Sequence, residues 1–359
     1  MNPPCQRLLI ALTLTAALYS QSATKRATHV APIPIKVVVV TMFERGADTG
    51  DEPGEFQYWV ERDHLDRIFP LPQAYHDLRM NRAGVLGMVT GMGTARAAAS
   101  VMAVGLDPRF DLRHAYWLVA GIAGVDPADA TLGSAAWATW VVDGDLAHEI
   151  DAREKPADWK TGYVPLRRSK PYEQPRLDTG SGEVYHLNPA LVDWAFALTK
   201  DIALPDNDAL RAERARFVDM PNAIRPPFVL KGDQLSASTF WHGKLMDQWA
   251  NDWVAYHTDG AGNFVTSAME DTGTLQSLTW LAKAGRVDVN RVLVLRTASN
   301  FDQPPPGVTA AESLAGTKIA KYVAYIPSLE SAWRVGNAVV EELVKNWSKY
   351  RDTLPGAPQ

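Results

Sequence analysis

The chain has 359 residues, of which 46% are hydrophobic and 21% are charged, and its formal net charge is −5. This length is enough for one large domain or two modest ones with a substantial core, and the composition is that of a globular protein. The mildly negative charge argues against a nucleic-acid partner, because binding a phosphate backbone requires a basic surface.

The N-terminus differs in kind from the rest of the chain. In MNPPCQRLLIALTLTAALYSQSATKR, an apolar run from Leu8 to Leu18 follows a single Arg and precedes small residues. The run is too short to span a bilayer and is typical of a signal peptide, which we predict over residues 1–23. A disordered or anchoring N-terminus is the alternative. Cleavage would remove Cys5, the one cysteine, and would give an exported protein, periplasmic or extracellular, without disulfides.

The fold proper is predicted to begin with a buried strand. Four consecutive valines within Ile35–Phe43 favour a strand that is covered on both faces, as in the centre of an α/β sheet. A second strand is predicted at Val85–Val89, followed by a tight turn at Gly91-Met92-Gly93. An Ala-rich helix follows, with Thr94 as its predicted cap.

The remaining segments continue the alternation of strands and helices. HAYWLVAGIAGVDP predicts a third strand that ends in a glycine turn, and a fourth strand is predicted near Ala135–Val142. RVLVLRTASN predicts a late central strand, whereas PALVDWAFALTKDI and SLESAWRVGNAVVEELVKNWSKY have the apolar spacing of helices. Residues 144–176 are charged and rich in proline, which predicts loops. We expect one α/β domain over residues 35–352, without a membrane span.

Glycines and short polar side chains at the strand ends mark a candidate ligand site. In VLRTASNFDQPPPG, a buried strand ends at Ser299 and Asn300, where ligands bind at the rim of open α/β sheets. Gly91 and Gly93 would let a ligand approach the backbone closely, although a tight turn alone also requires glycine. Phosphate-loop, zinc-protease and serine-hydrolase signatures are absent from the sequence, and the histidines have no ligand spacing. We therefore predict neither a metal nor a cofactor.

Four motifs taken together resemble one family. GMGTARAAAS, AGIAGVDP, SAMED and TASNFD are similar, in this order, to the purine nucleoside permease family within the nucleoside phosphorylase superfamily. The resemblance covers nearly all of the chain from Ile35 onward. It implies a mixed sheet sandwiched by helices and a purine nucleoside as the ligand. Since superfamily members are usually oligomers, it also implies a homo-oligomer.

The resemblance assigns a sugar site to the SAMED motif. In the superfamily, the corresponding Met packs on the ribose and the Glu accepts hydrogen bonds from its hydroxyls, which implies these roles for Met269 and Glu270. A carboxylate is suited to this role because charged acceptors make the stronger hydrogen bonds. The alternative for Glu270 is a favourable interaction with a helix N-terminus.

The base is expected to lie beside glycines and an aromatic ring. Gly121 and Gly124 match the superfamily turn next to the sugar and the base. Phe240 and Trp241 fall where the superfamily places an aromatic side chain against the purine, whose flat face favours stacking. Ordinary core packing is the alternative for both aromatic residues.

The position of the superfamily's acid is occupied by an amide here. Many purine-cleaving members carry an Asp that protonates the purine N7, whereas this sequence has Asn300. An Asn can bond the base edge but cannot supply a proton. Asp302 is either a displaced acid or a loop-start carboxylate that bonds its own backbone.

The phosphate site of the superfamily is also altered. Val119 and Ile122 stand where the hexameric phosphorylases have an Arg and a Ser, and only Arg45 and Arg96 are nearby candidates for binding phosphate. The first loop is acidic and would repel phosphate, through Asp48, Asp51, Glu52 and Glu55. We therefore favour hydrolysis of the N-glycosidic bond over phosphorolysis, with Glu44 as the carboxylate that orients water. A non-catalytic nucleoside-binding protein that assists uptake is the alternative function.

Overall fold

The structure is a computed structural model that describes residues 31–316 and 322–357. The predicted signal peptide at residues 1–23 lies outside the described residues and stays a prediction. From Pro32 onward the chain forms one compact unit. Within the described residues, none of the helices combines the length and the apolar character that crossing a bilayer requires.

Sixteen strands and nine α-helices make up the described part of the chain. The strands are β1 (Ile33–Pro34), β2 (Val37–Thr41), β3 (Arg67–Phe69), β4 (Leu78–Met80), β5 (Val85–Val89), β6 (Phe110–Asp111), β7 (Tyr116–Val125), β8 (Ala135–Trp137), β9 (Trp140–Asp143), β10 (Ala147–Glu149), β11 (Tyr163–Pro165), β12 (Val184–His186), β13 (Val229–Lys231), β14 (Asp233–Ser236), β15 (Phe264–Ala268) and β16 (Val292–Phe301). The helices are α1 (Gln57–Arg62), α2 (Thr94–Leu106), α3 (Pro189–Thr199), α4 (Asp208–Arg214), α5 (Lys244–His257), α6 (Asp271–Lys283), α7 (Ala310–Gly316), α8 (Tyr325–Lys345) and α9 (Trp347–Tyr350), and a 3₁₀ turn covers Val289–Arg291.

Twelve strands form one mixed sheet. Its main path runs β12-β9-β14-β15-β7-β2-β5-β4-β3, and β16, β8 and β13 branch from it. The long strand β7 lies parallel to β2 and β16 and antiparallel to the end of β15. Helix α8 packs on β7 and β16, and α2 packs against α6. The predicted mixed α/β fold is confirmed, and the carboxyl ends of β2, β7 and β16 meet at one edge, where ligands bind in sheets of this kind.

The core explains why the apolar runs became central strands. Val37 to Val40 are fully buried in β2, and Leu293 to Leu295 are buried in β16. Runs without polar alternation are expected when both faces of a strand are covered. Strand β5 has the predicted bounds, whereas β2 is shorter than its predicted segment Ile35–Phe43.

Three predicted elements divide differently in the structure. The segment near Ala135–Val142 forms β8 and β9, because the backbone N–H groups of Thr139 and Trp140 turn aside to donate to Asp233 Oδ1, at 3.0 and 2.7 Å. The C-terminal helix divides into α8 and α9 at Asn346. Residues 144–176 are mostly loop, as predicted, but include the β10–β11 ribbon.

The glycine turn predicted at AGIAG is wrong. Strand β7 continues through Gly121 and Gly124 to Val125 without a break. The glycines are required there because neighbouring side chains come close to the strand. A Cβ on Gly124 would lie 1.8 Å from Asp302 Oδ1, and one on Gly121 would lie 2.7 Å from both Arg296 Nη1 and Glu55 Oε1.

The predicted cap of α2 is also wrong. Helix α2 begins at Thr94, so that Gly93 is the residue before it and offers no capping side chain, and the N–H of Thr94 donates to the hydroxyl of Ser238 at 3.1 Å. The Thr94 hydroxyl instead donates to the backbone carbonyl of Met269 at 3.3 Å. This bond ties the start of α2 to the SAMED segment.

Candidate functional site

A small cavity of about 60 Å³ lies where the ends of β2, β7, β15 and β16 meet. Six of the residues predicted for the site line this cavity: Gly124, Phe240, Met269, Glu270, Ser299 and Asn300. The lining also includes residues to which the sequence analysis gave no role in binding: Met42, Phe43, Glu55, Met92 and Ser267. The structure therefore brings four separate motifs to one place.

Glu270 lies in the cavity wall and is almost fully buried. Its Oε1 accepts a hydrogen bond from the backbone N–H of Gly93 at 3.2 Å, and Oε2 accepts one from Arg296 Nη2 at 3.1 Å. Gly93 has a φ of +93°, a conformation that favours glycine, and it thereby directs its N–H at the carboxylate. Burial raises the pKa of Glu270, and the charge of Arg296 opposes this rise.

Arg296 is the cation behind the cavity, and the sequence analysis did not identify it. Its side chain is 1% exposed and donates to Asp271 Oδ2 at 2.8 Å, to Glu270 Oε2 and to the carbonyl of Ile122 at 3.2 Å. An Arg directly after the apolar run Val292–Leu295 of a buried strand is an available signal, because a fully buried charge requires partners.

Glu55 is the second buried carboxyl group at the cavity. Its two oxygens each accept one backbone hydrogen bond at 2.7 Å, from the N–H of Met42 and of Ile122. Burial raises the pKa of Glu55 to about 8; Arg296 opposes the rise and Glu270 adds to it. The sequence analysis treated Glu55 only as part of an acidic loop, although the structure turns it inward.

Glu44, the predicted water-orienting carboxylate, does not line the cavity. Oε2 accepts the N–H groups of Phe56 and Gln57 at 2.9 and 2.6 Å, and Oε1 accepts those of Arg45 and Gly54. Four backbone donors on one carboxylate hold the loop between β2 and α1 in a fixed shape. This loop carries Glu55 to the cavity.

Asn300 and Ser299 stand at the end of β16, as predicted. The Ser299 hydroxyl lies 3.1 Å from the carbonyl of Ala123 and 3.0 Å from Asn300 Oδ1, so its single proton can serve either acceptor. Asn300 Nδ2 lies 3.3 Å from the carbonyl of Phe301. Since an amide has two N–H donors, at least one remains available to a ligand in the cavity.

The other predicted site residues lie around the cavity. Gly91 and Gly121 do not line it, and Gly93 reaches it through its bond to Glu270. Phe240 is 44% exposed at the cavity, whereas Trp241 is 9% exposed and packs on Trp249 and Phe264, as its core-packing alternative predicts.

Asp302 is buried next to the cavity and does not line it. Its Oδ1 accepts a hydrogen bond from the Ser267 hydroxyl at 2.7 Å. Burial raises the pKa of Asp302 well above its usual range, and Asp126 adds to that rise. The loop-start bond to its own backbone, which the sequence analysis weighed, is replaced by this bond across strands.

The two arginines considered for phosphate are engaged elsewhere. Arg45 forms an ion pair with Glu52 at 2.7 Å, and Arg96 Nη1 donates to the carbonyl of Met92 at 3.1 Å. Neither lines the small cavity, whose described lining contains no lysine or arginine. Over residues 31–316 and 322–357, His, Cys, Asp and Glu side chains do not group in a way that could hold a metal ion.

Solved structures with a similar fold include a nucleosidase and a hydrolase. A 5′-methylthioadenosine/S-adenosylhomocysteine nucleosidase from S. pneumoniae superimposes with a TM-score of 0.52, 14% identity, and coverage of 86% of this chain and 100% of that one. Futalosine hydrolase of Helicobacter pylori superimposes with a TM-score of 0.51 and 13% identity, over 86% and 98% of the two chains. At these identities, the likeness shows a shared fold.

Sequence comparison identifies the family directly. A probable purine nucleoside permease of Schizosaccharomyces pombe is 31% identical over 324 residues, which cover 87% of this chain and 90% of that protein. A purine nucleoside permease of Candida albicans is 28% identical over 318 residues, which cover 88% and 76% of the two chains. The family model described as purine nucleoside permease matches residues 34–355. The chain therefore belongs to the purine nucleoside permease family.

Proposed function

We propose that this protein binds purine nucleosides at the small cavity, with the sugar on Glu270, and cleaves their N-glycosidic bond by hydrolysis. The observation that carries the binding proposal is the buried Glu270, which Arg296 and the Gly93 N–H hold at the cavity wall. A carboxylate held in this way can accept hydrogen bonds from two neighbouring sugar hydroxyls. The relatives named purine nucleoside permeases support a purine nucleoside as the ligand.

The base is proposed to lie between Phe240 and Asn300. The Phe240 ring is available for stacking on the purine face, because the residue lines the cavity and is 44% exposed. The Asn300 amide can donate to N7 of the purine and accept from a neighbouring group on the same edge. Met269 lies in the same lining and supplies the apolar contact to the sugar.

For hydrolysis, we assign the water-orienting role to Glu55 in place of Glu44. Each oxygen of Glu55 accepts a single backbone hydrogen bond, which leaves lone pairs for a water molecule. A general base with a pKa near the working pH is well suited to proton abstraction, and burial gives Glu55 a pKa of about 8. The names of the structural neighbours, a nucleosidase and a hydrolase, agree with this reaction class.

A non-catalytic role in nucleoside uptake is the second candidate. It is favoured by Asn300, which occupies the place of an acid and cannot protonate the leaving base. Under this alternative the same cavity binds nucleosides and releases them unchanged. Hydrolysis is preferred to phosphorolysis in the first candidate because the cavity lining offers no cation to a phosphate ion.

The deciding experiment incubates the purified protein with adenosine, guanosine and inosine, with and without phosphate, and measures free base. We expect base release that phosphate does not accelerate, and that Glu55→Gln abolishes. Binding of nucleosides without release of base would favour the uptake role. Absence of nucleoside binding would contradict both candidates.

We also propose that the protein is exported after cleavage near residue 23 and that it assembles as a homo-oligomer. N-terminal sequencing and light scattering of the protein from its natural source test these two proposals. An intact Met1 would contradict the first, and a monomer at working concentration would contradict the second.

A further inference from the structure

Ser267 and Asn300 stand on opposite sides of Gly124 in the lining of the small cavity. In the sheet, Gly124 on β7 pairs with Asn300 on β16 and with Ser267 on β15. Neighbouring strands lie about 4.8 Å apart, so the two outer residues are about 9–10 Å apart at their backbones, which leaves room for a flat ring between them. The N3 and N7 atoms of a purine lie on opposite edges of the ring. A purine whose N7 edge faces Asn300 therefore turns its N3 edge toward Ser267.

Asp302 lies behind Ser267 and is connected to the cavity through it. Asp302 Oδ1 and Ser267 Oγ are 2.7 Å apart, whereas Asp302 itself is 1% exposed and does not line the cavity. Its other oxygen, Oδ2, is also buried and has no hydrogen-bond partner among the residues that the structure describes. A carboxyl group in such surroundings is less costly when it is neutral than when it is charged.

The groups around Asp302 favour its protonated form. Burial raises the pKa of Asp302 well above its usual range; the Ser267 hydroxyl opposes this rise, and Asp126, directly after β7, adds to it. On α5, burial raises the pKa of Asp247 to about 9. Asp126, Asp302 and Asp129 add to that second rise. A protonated Asp302 can donate to Ser267, which leaves the Ser267 hydroxyl free to donate into the cavity.

We propose that Asp302 supplies the proton for the leaving purine and that the Ser267 hydroxyl passes it to N3. This inference rests on the proposed hydrolysis, and it names the proton source that Asn300 cannot be. As the C1′–N9 bond breaks, its electron pair goes to the base, the Ser267 proton moves to N3, and the Asp302 proton moves to the Ser267 oxygen. Water adds to C1′ and gives a proton to Glu55. Asp302 then takes up a proton from solvent and Glu55 releases one, which restores the protein.

The test compares hydrolysis of adenosine and of 3-deazaadenosine, which has a C–H in place of N3, by the whole protein and by Asp302→Asn and Ser267→Ala. The analogue keeps N7 and the C6 amine, so its bonds to Asn300 are unaltered. Asn at position 302 keeps an oxygen for the Ser267 hydroxyl but has no acidic proton, and Ser267→Thr keeps the hydroxyl. Ser331→Ala is the matched control, because Ser331 is also buried, donates to the carbonyl of Gly133 at 2.8 Å and does not line the small cavity.

General acid catalysis contributes about 10²–10⁴-fold, so the wild type, Ser267→Thr and Ser331→Ala should hydrolyse adenosine at least about a hundredfold faster than 3-deazaadenosine. Asp302→Asn and Ser267→Ala should lose this preference through a lower kcat for adenosine, with KM little changed. In the wild type, the rate should fall at high pH as Asp302 releases its proton, and this fall should be absent in Asp302→Asn.

The possible failures separate this inference from the proposed function. Equal rates on the two nucleosides in the wild type would overturn this inference alone. An equal loss on both nucleosides in Asp302→Asn and Ser267→Ala would do the same, because it would indicate a purely structural role. Wild-type protein that binds adenosine without releasing base would overturn the proposed hydrolysis and this inference with it.

Discussion

Glu55 gives the sharpest prediction for stability, because its carboxyl group is buried at the cavity with a raised pKa. The pKa rises from 4.5 to about 8 in the folded protein. Between these two values the folded state keeps a proton that the unfolded state has released. The contribution of Glu55 to stability is therefore fully present below about pH 4.5 and is lost as the pH rises to about 8. Each pKa unit is worth about 1.4 kcal/mol, so the loss amounts to about 5 kcal/mol in total.

The assay compares urea unfolding of the wild type and of Glu55→Gln at several pH values from about 4.5 to about 8.5. Glutamine offers one acceptor oxygen to the two backbone donors, Met42 and Ile122, which costs about 1–3 kcal/mol at every pH. Because the cost of the lost acceptor does not vary with pH, the pH dependence of the stability difference between the wild type and Glu55→Gln reports the ionisation of Glu55. The wild type should lose about 4–5 kcal/mol relative to the variant over this range. Glu52→Gln, at an exposed carboxylate of the same loop, is the control. Parallel curves for Glu55→Gln and the wild type would refute the reasoning.

Three further substitutions test other parts of the account. Glu44→Gln should lower the free energy of unfolding by about 1–3 kcal/mol, because an amide N–H would face backbone N–H donors. Turnover per folded molecule should stay unchanged. Loss of turnover at normal stability would indicate that Glu44, and not Glu55, orients the water. Gly124→Ala should destabilise the folded protein by about 1–3 kcal/mol or more, because the new Cβ would lie 1.8 Å from Asp302 Oδ1. Thermal unfolding measures this loss, and an unchanged melting temperature would contradict the close approach of Asp302 to Gly124. If turnover occurs, Asn300→Asp should add an acid limb to the pH–rate profile, with a larger effect for adenosine than for inosine; an unaltered profile would show that residue 300 does not act on the base.

The sequence was sufficient for the central strands and for six of the fourteen residues that line the small cavity. Apolar runs without polar alternation predicted β2, β5 and β16, since such runs are expected when both faces of a strand are covered. Residues at the end of β16 and in the SAMED segment meet at one sheet edge, and this edge is where ligands bind in folds of this class. The strands and the end of β16 follow from local pattern, whereas Gly124, Phe240, Met269 and Glu270 were predicted from the resemblance to the family.

Features that depend on contacts distant in sequence could not be read from the chain. Gly121 and Gly124 look like a turn, but they are strand residues that make room for Glu55, Arg296 and Asp302. The sequence analysis chose Glu44 over Glu55 as the carboxylate of the site, and only the folded loop shows that Glu44 accepts four backbone N–H groups while Glu55 lines the cavity. A charge pattern in a loop does not reveal which carboxylate is buried.

The most direct test of the central claim is a calorimetric titration of wild-type protein and Glu270→Gln with adenosine, guanosine and inosine. The substitution keeps the shape of the side chain and removes the charge that accepts the sugar hydroxyls. Two charge-assisted hydrogen bonds are worth at most about 1.5–3 kcal/mol each, so affinity should fall by about a hundredfold overall while the protein remains folded. Equal nucleoside affinity in the wild type and Glu270→Gln would contradict a sugar site at Glu270.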